Sequence, residues 1–373
     1  MISPPPDTPS SADWCNVLEP AALVGAFFSH PPAGFTSGTT RQGLPWFEAR
    51  LDLLTTLDDG LRRRVRSFGL SGVIRSWLQW RTLFIGTTVS EYLLLPRGLQ
   101  PELLPQQLLR GELDARRRAH QLLVVKDIPL DSPLLSAADV ATARTLTQAL
   151  HAAGFVMLQG QALAWLPIDF ASQDEYLARL SHARRKNIRR KLRSRAQLDI
   201  RCLRTGDPWL SNTRVRSDLY RLYLQVYHQS ETHFDLLSPG FFDAVLQDAS
   251  SGGCLFVYRA GEHIVGWNLC FEFGDALVDK YIGLDYPRSR ELNLYVVSWM
   301  NNLDYALSRG LKRFVAGWTD PGIKAELGAR FTFTQHAVYP RKRIVRWLLR
   351  RTAGVFEGDR QWQDKHGQIA AGA

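Results

Sequence analysis

Residues able to transfer protons fall close together in the last third of the chain. Glu272 and Asp279 carry carboxylates that can act as a general base, and Tyr281 carries a phenol that can donate a proton. Lys280 follows Asp279 directly. Because neighbouring side chains on a strand point to opposite faces, only one of Asp279 and Lys280 can face a common cleft. The alternative for each residue is a charge on the outer face of a paired strand.

The segments around these residues predict a small sheet. Residues 255–258 and 264–271 are rich in strand-forming residues and are separated by a short loop containing glycine, which predicts a hairpin. A third strand is predicted over 276–284, after the turn dipeptide Gly274-Asp275. Glu272 and Asp279 therefore lie on neighbouring strands.

A long amphipathic helix is predicted next to this sheet. Apolar residues recur at steps of three and four between Leu292 and Leu307, which predicts a helix over 290–309 that ends at Gly310. The short apolar run 314–317 predicts an inner strand parallel to its predecessor, because a helix crosses between them. The unit is strand, helix, strand.

The start of the predicted helix is a candidate phosphate site. Its first N–H groups lack partners within the helix, and the helix dipole favours an anion there. Arg288 and Arg290 can clamp a phosphate from the side, with Asn293 close by. Glu291 would repel a pyrophosphate; it has either a catalytic role or a favourable place at the helix N-terminus.

The order of these elements resembles the acetyl-coenzyme-A half of the GNAT acyltransferase fold, and in particular its Fem-type relatives, which carry two such domains in one chain. Three features carry the resemblance: the basic helical segment 176–195, the strand, loop and helix from Asp279 to Tyr295, and the terminal segment 322–328. The resemblance implies an α/β (α+β) fold with two GNAT-like domains, each a mixed, mostly antiparallel sheet flanked by helices.

The same resemblance implies an N-acyltransferase. Such an enzyme moves an acetyl, longer acyl or aminoacyl group from a thioester or ester donor to an amine of a small molecule or cell-envelope precursor. The implied donors are acyl-coenzyme A, acyl carrier protein or aminoacyl-tRNA, with no metal. GNAT enzymes place an Arg or Gln at this turn, with glycines three and five residues later. Arg288 matches the first position, whereas Glu291 and Asn293 replace the glycines, so the usual grip on coenzyme A is altered.

Four residues are predicted to contact the acceptor substrate. Glu231 and His233 belong to a loop that borders the acceptor cleft in the GNAT resemblance, and their spacing from His228 does not suit a metal site. Lys324 matches a lysine position near the end of Fem-type domains. It either holds a carboxylate or phosphate of the substrate or is an exposed helix lysine. Trp318 is the fourth residue that is predicted to contact the acceptor substrate.

The charge distribution predicts an anionic partner. The chain has 46 Lys and Arg against 36 Asp and Glu, a net charge of +10. Eight of the twelve residues 184–195 are basic, and Tyr176 is the nearby aromatic residue, which argues against recognition of specific bases. This segment is a solvated face, a contact for a phosphate-rich donor such as tRNA, or a docking site for anionic lipid. Residues 339–351 form a second basic amphipathic segment, which either packs on the domain or lies on a membrane.

An alternative function follows from these two basic segments and the altered glycine turn. The protein would then be a non-catalytic GNAT-like module that binds anionic lipid or nucleic acid. No hydrolase, kinase or dehydrogenase motif is present in the sequence.

The rest of the chain predicts a first, degenerate domain. A strand over 122–128, a helix over 138–153 and a strand over 155–158 repeat the plan of the second half. Residues 84–95 are predicted as a strand, a turn and more strand, and residues 101–120 as a helix.

We therefore expect an N-terminal segment (1–39), a degenerate GNAT-like domain (40–168), an acyltransferase-like domain (169–352) and a mobile tail (353–373). The N-terminal residues lack the pattern of a signal peptide, and no apolar run approaches twenty residues, so a cytoplasmic protein is expected. The four cysteines have irregular spacings typical of reduced thiols. The sequence leaves the oligomeric state open.

Overall fold

The computed structural model describes residues 13–52, 79–113, 120–230 and 234–352. They belong to two compact units, neither of which is continuous in sequence. The first unit takes its residues from 1–17, 34–162 and 332–372, and the second takes its residues from 18–33 and 163–331. The predicted domain limits stay a prediction.

Thirteen strands lie within the described residues. They are β1 (Trp14–Cys15), β2 (Thr36–Thr39), β3 (Pro45–Asp52), β4 (Gln79–Ile85), β5 (Leu95–Pro96), β6 (Leu122–Pro129), β7 (Val156–Pro167), β8 (Asp199–Arg204), β9 (Gly253–Ala260), β10 (His263–Phe273), β11 (Ala276–Leu284), β12 (Arg313–Gly317) and β13 (Arg330–Pro340).

The α-helices of the described residues are α1 (Ala21–Ser29), α2 (Leu104–Gln107), α3 (Ala137–Ala152), α4 (Gln173–Ala178), α5 (His182–Lys191), α6 (Thr213–Gln229), α7 (Pro239–Gln247), α8 (Arg288–Glu291), α9 (Leu294–Ser308), α10 (Pro321–Glu326) and α11 (Arg343–Thr352). None of them is both long and apolar enough to cross a bilayer.

The first unit is built on a mixed sheet. Its strand order is β2-β3-β4-β6-β13, in which β4 and β6 are parallel and the other pairs are antiparallel. Helix α3 begins at Ser136, whose hydroxyl accepts the N–H of Asp139 at 3.1 Å. Leu146 and Leu150 of this helix are buried in one apolar cluster with Leu123 of β6.

The second unit has a sheet of the same kind. Its order is β7-β12-β11-β10-β9-β8, with a single parallel pair between β11 and β12. Helix α9 covers one face and buries Val297, Met300 and Leu303 against the sheet. Helices α6 and α7 cover the other face, where the indole of Trp267 donates to the carbonyl of Leu219 at 2.9 Å. Both units thus have mixed, mostly antiparallel sheets flanked by helices, which confirms the predicted fold class.

The central unit agrees closely with its prediction. The hairpin of β9 and β10 is confirmed, β11 spans the predicted residues 276–284, and β12 lies parallel to β11 across helix α9. The predicted helix over 290–309 is wrong at its start, because α9 begins at Leu294.

Two predictions for the first unit, the strand, turn and strand over 84–95 and the helix over 101–120, hold only in part. Strand β4 ends at Ile85, and the chain then turns because the Thr87 hydroxyl accepts the N–H groups of Val89 and Ser90. The predicted helix over 101–120 is confined to α2 and a π-helical turn over 108–113. Gly111 lies within that turn, where the lack of a side chain weakens the preference for an α-helix. Residues 114–119 lie outside the described part of the chain.

The basic segment before β8 forms two helices instead of one. Ser172 caps α4 by accepting the N–H of Glu175 at 3.2 Å. The carboxylate of Glu175 accepts the N–H of Ala171 at 2.8 Å, one residue earlier than a capping box requires. Ser181 then accepts the N–H of Arg184, and this second cap starts α5.

A close backbone approach at Gly160 gives a test of the first unit. A methyl group on Gly160 would overlap the hydroxyl of Thr334 and lie 3.2 Å from the Thr334 carbonyl carbon. Because Thr334 is fully buried and cannot move aside, we expect Gly160→Ala to lower the free energy of unfolding by about 1–3 kcal/mol in urea denaturation.

The matched control is Gly111→Ala. No atom lies within 4 Å of the added methyl group at that exposed helical position. The free energy of unfolding should stay the same or rise, because alanine favours a helix. Equal losses in the two variants would contradict the packing at Gly160.

Candidate active site

The parallel pair of strands β11 and β12 in the second unit separates partway along its length. Strands β11 and β12 pair over Ala276–Val278 and Arg313–Val315 and no further, although β11 continues to Leu284. Strand β12 stays paired with β7 as far as Gly317. Ligands of α/β proteins bind where the carboxyl ends of parallel strands diverge. Asp279 is the first residue of β11 beyond the paired stretch.

Two amide side chains hold the carboxylate of Asp279. Asn302 of α9 donates to Oδ2 at 2.9 Å, and Asn268 of β10 lies 3.3 Å from Oδ1. The Nδ2 atom of Asn268 also lies 3.0 Å from Oδ1 of Asn302, while the hydroxyl of Tyr258 donates to Oδ1 of Asn268 at 2.7 Å. The thiol of Cys270 lies 3.5 Å from Oδ1 of Asp279. The carboxylate is fixed by a polar network whose other members are buried.

The surroundings of Asp279 tune its proton affinity. Shielding from water raises the pKa of the Asp279 carboxyl to about 6, although hydrogen bonds from Asn268, Cys270 and Asn302 and the charge of Lys324 act to lower it. A pKa in this range leaves the group mostly ionised at neutral pH and able to accept a proton.

Lys324 of α10 lies close to Asp279 at the strand opening. Its side chain is buried, with 3% exposure, so the alternative prediction of an exposed helix lysine is wrong. A methyl group on Gly317 would lie 3.6 Å from the Asp279 carbonyl oxygen and 3.9 Å from the Lys324 ammonium. Gly317 also has a φ of +78°, which favours glycine. Because Gly317 has no side chain, the space between the Asp279 backbone carbonyl and the Lys324 ammonium stays open.

A β-bulge at Lys280 lies between Asp279 and Tyr281. Leu269 pairs with Tyr281 and Cys270 pairs with Asp279, so Lys280 is the extra residue of β11. The regular alternation of side chains on which the prediction for Asp279 and Lys280 rested is therefore interrupted at this point. The ring of Tyr281 packs on the opposite face of the sheet, 5.6 Å from the ring of Phe241. The structure does not bring Tyr281 together with Asp279.

Glu272 belongs to a different cluster on the same sheet face. Its Oε1 accepts from the hydroxyl of Tyr305 at 2.5 Å and from Arg204 at 3.1 Å, and Arg309 lies 3.3 Å away. Shielding from water raises the Glu272 pKa, but the hydrogen bonds from Tyr305 and Arg204 and the nearby arginine charges outweigh it and hold the pKa below its usual value. A carboxylate paired in this way is a weak base.

The predicted phosphate residues precede helix α9 and lie outside its first turn. Asn293 adopts a left-handed conformation with φ +51°, which asparagine tolerates, and this interrupts the helix between α8 and α9. Arg288, Arg290 and Glu291 lie in α8 and are exposed. The guanidinium of Arg290 stacks 4.9 Å from the ring centre of Tyr286.

The remaining predicted residues are placed as follows. The amide of Asn293 donates to the Glu291 carbonyl at 3.3 Å, within its own turn. Trp318 is half-buried and follows Gly317 at the end of β12. Glu231 and His233 lie outside the described residues. Within the described ranges, no group of three His, Cys, Asp or Glu side chains is arranged to hold a metal ion.

Comparison with protein families matches residues 108–341 to the FemAB-like family, which is described as peptidoglycan biosynthesis/recognition. The chain belongs to the FemAB-like family. The expected Fem-type and twin-GNAT resemblance is confirmed. Comparison with curated proteins finds no match to the sequence.

Solved structures that are similar to this FemAB-like protein share little sequence with it. The C-terminal domain of a candidate lysylphosphatidylglycerol synthetase from Agrobacterium fabrum has 12% identity and a TM-score of 0.50, with 92% of each chain covered. L-PGS from Bacillus licheniformis has 10% identity and a TM-score of 0.48, with 91% of this chain and 98% of the other covered. FemX has 11% identity and a TM-score of 0.48, over 87% and 97% of the two chains.

The polar partners of Asp279 in the FemAB-like protein were not predicted from sequence. Asn268 lies within the strongly apolar run 264–271, and Asn302 lies on the apolar side of the long helix. Asparagine is disfavoured inside strands and helices, so an isolated amide in an apolar element is a detectable signal. The sequence can therefore mark the two asparagines as unusual. Their contacts with each other and with Asp279 depend on the packing of α9 on β10.

Proposed function

We propose that this FemAB-like protein transfers an acyl or aminoacyl group from a thioester or ester donor to an amine, with Asp279 as the general base. The observation that carries the proposal is the carboxylate of Asp279, which is held by Asn268 and Asn302 where the parallel strands separate. A base fixed in this way can take a proton without first reorganising its surroundings.

The proposed reaction is direct attack by the acceptor. Asp279 removes a proton from the acceptor ammonium, and the nitrogen lone pair then forms a bond to the carbonyl carbon of the donor. The carbon–sulfur or carbon–oxygen bond of the donor breaks, and the leaving thiolate or alkoxide takes up a proton. Lys324 acts as a positioning residue, because its charge lowers the pKa of Asp279 and keeps the base ionised at neutral pH.

The donor is proposed to bind through its phosphates at helix α8. Arg288 and Arg290 are exposed there, and guanidinium groups bind phosphate in a bidentate manner. Acyl-coenzyme A, acyl carrier protein and aminoacyl-tRNA all carry phosphate and all occur in the cytoplasm, where we place the protein. The family description supports an amine-bearing peptidoglycan precursor as the acceptor.

The donor site is tested by thermal unfolding with acetyl-coenzyme A, palmitoyl-coenzyme A, free coenzyme A, acyl carrier protein and an aminoacyl-tRNA mixture. A donor that binds only the folded protein stabilises it by about 2.7 kcal/mol at a concentration of 100 times Kd. We expect one donor class to raise the melting temperature of the wild type by several degrees and to lose this effect in an Arg288→Ala, Arg290→Ala double variant.

The matched control for the donor test is Arg221→Ala. Arg221 is an exposed arginine of α6 in the same unit, with 57% side-chain exposure and one surface ion pair to Asp218. It should keep the full temperature shift. If no donor class shifts the melting temperature of the wild type, the proposal of transfer from these donors is wrong. The non-catalytic module then becomes the better description. A shift lost equally in the control would remove the assignment to α8.

A further inference from the structure

Helix α11 of the first unit is attached to the protein by its arginines. Arg346 donates to the Pro340 carbonyl at 2.9 Å, and its guanidinium lies 3.7 Å from the ring centre of Tyr339. Arg350 donates to the Gly154 carbonyl at 3.2 Å. These contacts hold α11 against the unit through Arg346, which is half-buried, and Arg350, which stays exposed.

Three large apolar side chains of the same helix face solvent, while Val345 and Leu349 are half-buried. Ile344, Trp347 and Leu348 are exposed by 69%, 51% and 50%. They stand at positions i, i+3 and i+4 and therefore form one stripe. Half of the large apolar side chains that are exposed within the described ranges belong to this helix of ten residues.

Positive charge surrounds the exposed stripe. Lys342, Arg343 and Arg351 are exposed, and the guanidinium of Arg351 lies 4.1 Å from the ring centre of Trp347. No acidic residue occurs between positions 341 and 352. The stripe thus combines a tryptophan and two aliphatic side chains with basic residues at its border. Indole rings and basic residues are both favoured at the interface of a bilayer that contains anionic lipid.

We propose that α11 docks on an anionic lipid surface. The helix lies in the plane of the interface, with Ile344, Trp347 and Leu348 among the acyl chains and Lys342, Arg343 and Arg351 against the headgroups. A helix of ten residues is about 15 Å long, half of the hydrocarbon thickness, so it rests on the membrane without crossing it. Binding is reversible, because a single short apolar stripe supplies a limited transfer free energy.

The size of the stripe favours lipid over a second copy of the chain. A stable protein interface buries roughly 800 Å² on each partner. Three half-exposed side chains offer a small part of that area. Two copies meeting at this stripe would also bring their exposed Lys342, Arg343 and Arg351 side chains together, which costs electrostatic free energy. An anionic bilayer satisfies both the apolar stripe and its charged border.

The experiment is flotation with lipid vesicles. The full chain is mixed with vesicles of phosphatidylcholine alone or with one third phosphatidylglycerol. We expect the wild type to float with the anionic vesicles, to float less with the neutral ones, and to be released as salt is raised from about 0.1 M to about 0.5 M. Trp347→Asp should weaken binding roughly ten-fold, because a large apolar side chain is lost from the interface.

The matched control for flotation is Leu103→Asp. Leu103 is exposed by 47% in the same unit and lies outside α11. Its substitution should leave vesicle binding unchanged, and both variants should keep the melting temperature of the wild type. Failure of the wild type to float overturns the proposal, as does an equal loss in the two variants. Self-association that disappears in Trp347→Asp, without vesicle binding, would assign the stripe to a second copy. Flotation is independent of transfer activity, so the two proposals fail separately.

Discussion

Replacement of Asp279 by asparagine is expected to lower the rate of acyl transfer by roughly a hundred- to ten-thousand-fold, the usual contribution of a positioned general base. Asparagine has the same size but cannot take a proton from the acceptor ammonium. The assay measures transfer of a labelled acyl group from the donor that stabilises the protein. The melting temperature of the variant shows whether the fold is kept.

The pH dependence of the wild type follows from the same residue. Because the pKa of Asp279 is about 6, kcat/KM should fall as the pH drops through that value and the base becomes protonated. The residual activity of Asp279→Asn should lack this acid limb. An unchanged acid limb in the variant would show that another group is the base.

Stability provides a second readout of Asp279. Its pKa is raised from 3.8 to about 6 in the folded chain, so the folded state binds the proton more tightly than the unfolded state does. This group therefore favours folding at low pH, and its contribution is lost as the pH rises from about 4 to about 6. The difference in free energy of unfolding between the wild type and Asp279→Asn should change by about 3 kcal/mol across this window.

Glu272→Gln is the matched control for the base. Glu272 was an equal candidate from sequence, but its carboxylate is paired with Arg204, Arg309 and Tyr305 and has a lowered pKa. We expect a loss of activity below ten-fold in this variant. A loss as large as that of Asp279→Asn would contradict the choice between the two carboxylates.

The positions of the central strands along the chain were predictable because local sequence determines them. A glycine-containing loop between two apolar runs specified the hairpin of β9 and β10, and the Gly274-Asp275 turn set the start of β11 at Ala276. The apolar positions of α9 also follow from sequence, because helical periodicity extends over four turns. These features need no knowledge of distant contacts.

The details that shape the site depend on tertiary contacts. The bulge at Lys280 adds one residue to a strand whose composition gives no sign of it. The left-handed turn at Asn293 is set in part by a hydrogen bond from the Ser194 hydroxyl to the Leu292 carbonyl, nearly a hundred residues apart in sequence. The apolar periodicity therefore predicted a continuous helix across Asn293, where packing interrupts it.

The orientation of α11 also could not be predicted from the periodicity of the sequence. Its amphipathic pattern was clear, but a pattern does not say which face meets the protein. The acceptors for Arg346 and Arg350 are the carbonyls of Pro340 and Gly154, which any sequence provides. Hydrophobic patterning takes no account of backbone groups, so the attachment of α11 through Arg346 and Arg350 was not predictable.

Substitution of Lys324 by methionine should shift the acid limb of transfer to higher pH. The ammonium of Lys324 lowers the pKa of Asp279. Without it, shielding from water raises the pKa of Asp279 further, so the carboxylate holds its proton more strongly. Activity at neutral pH should fall roughly ten-fold and recover as the medium becomes alkaline. Methionine is apolar and of similar length, so it fits the buried position of Lys324, and the melting temperature of the variant shows whether the fold is kept.

Two further variants separate this electrostatic role from direct contact with substrate. Lys324→Arg keeps the positive charge, so its acid limb should remain near that of the wild type. Lys312→Met removes a lysine that is exposed in the same unit and should change neither the rate nor the limb. If Lys324→Met stays inactive at every pH and raises KM, Lys324 binds the substrate itself. The recovery at alkaline pH is the result that only a lysine acting through Asp279 produces, since a lost contact with substrate does not return when Asp279 ionises.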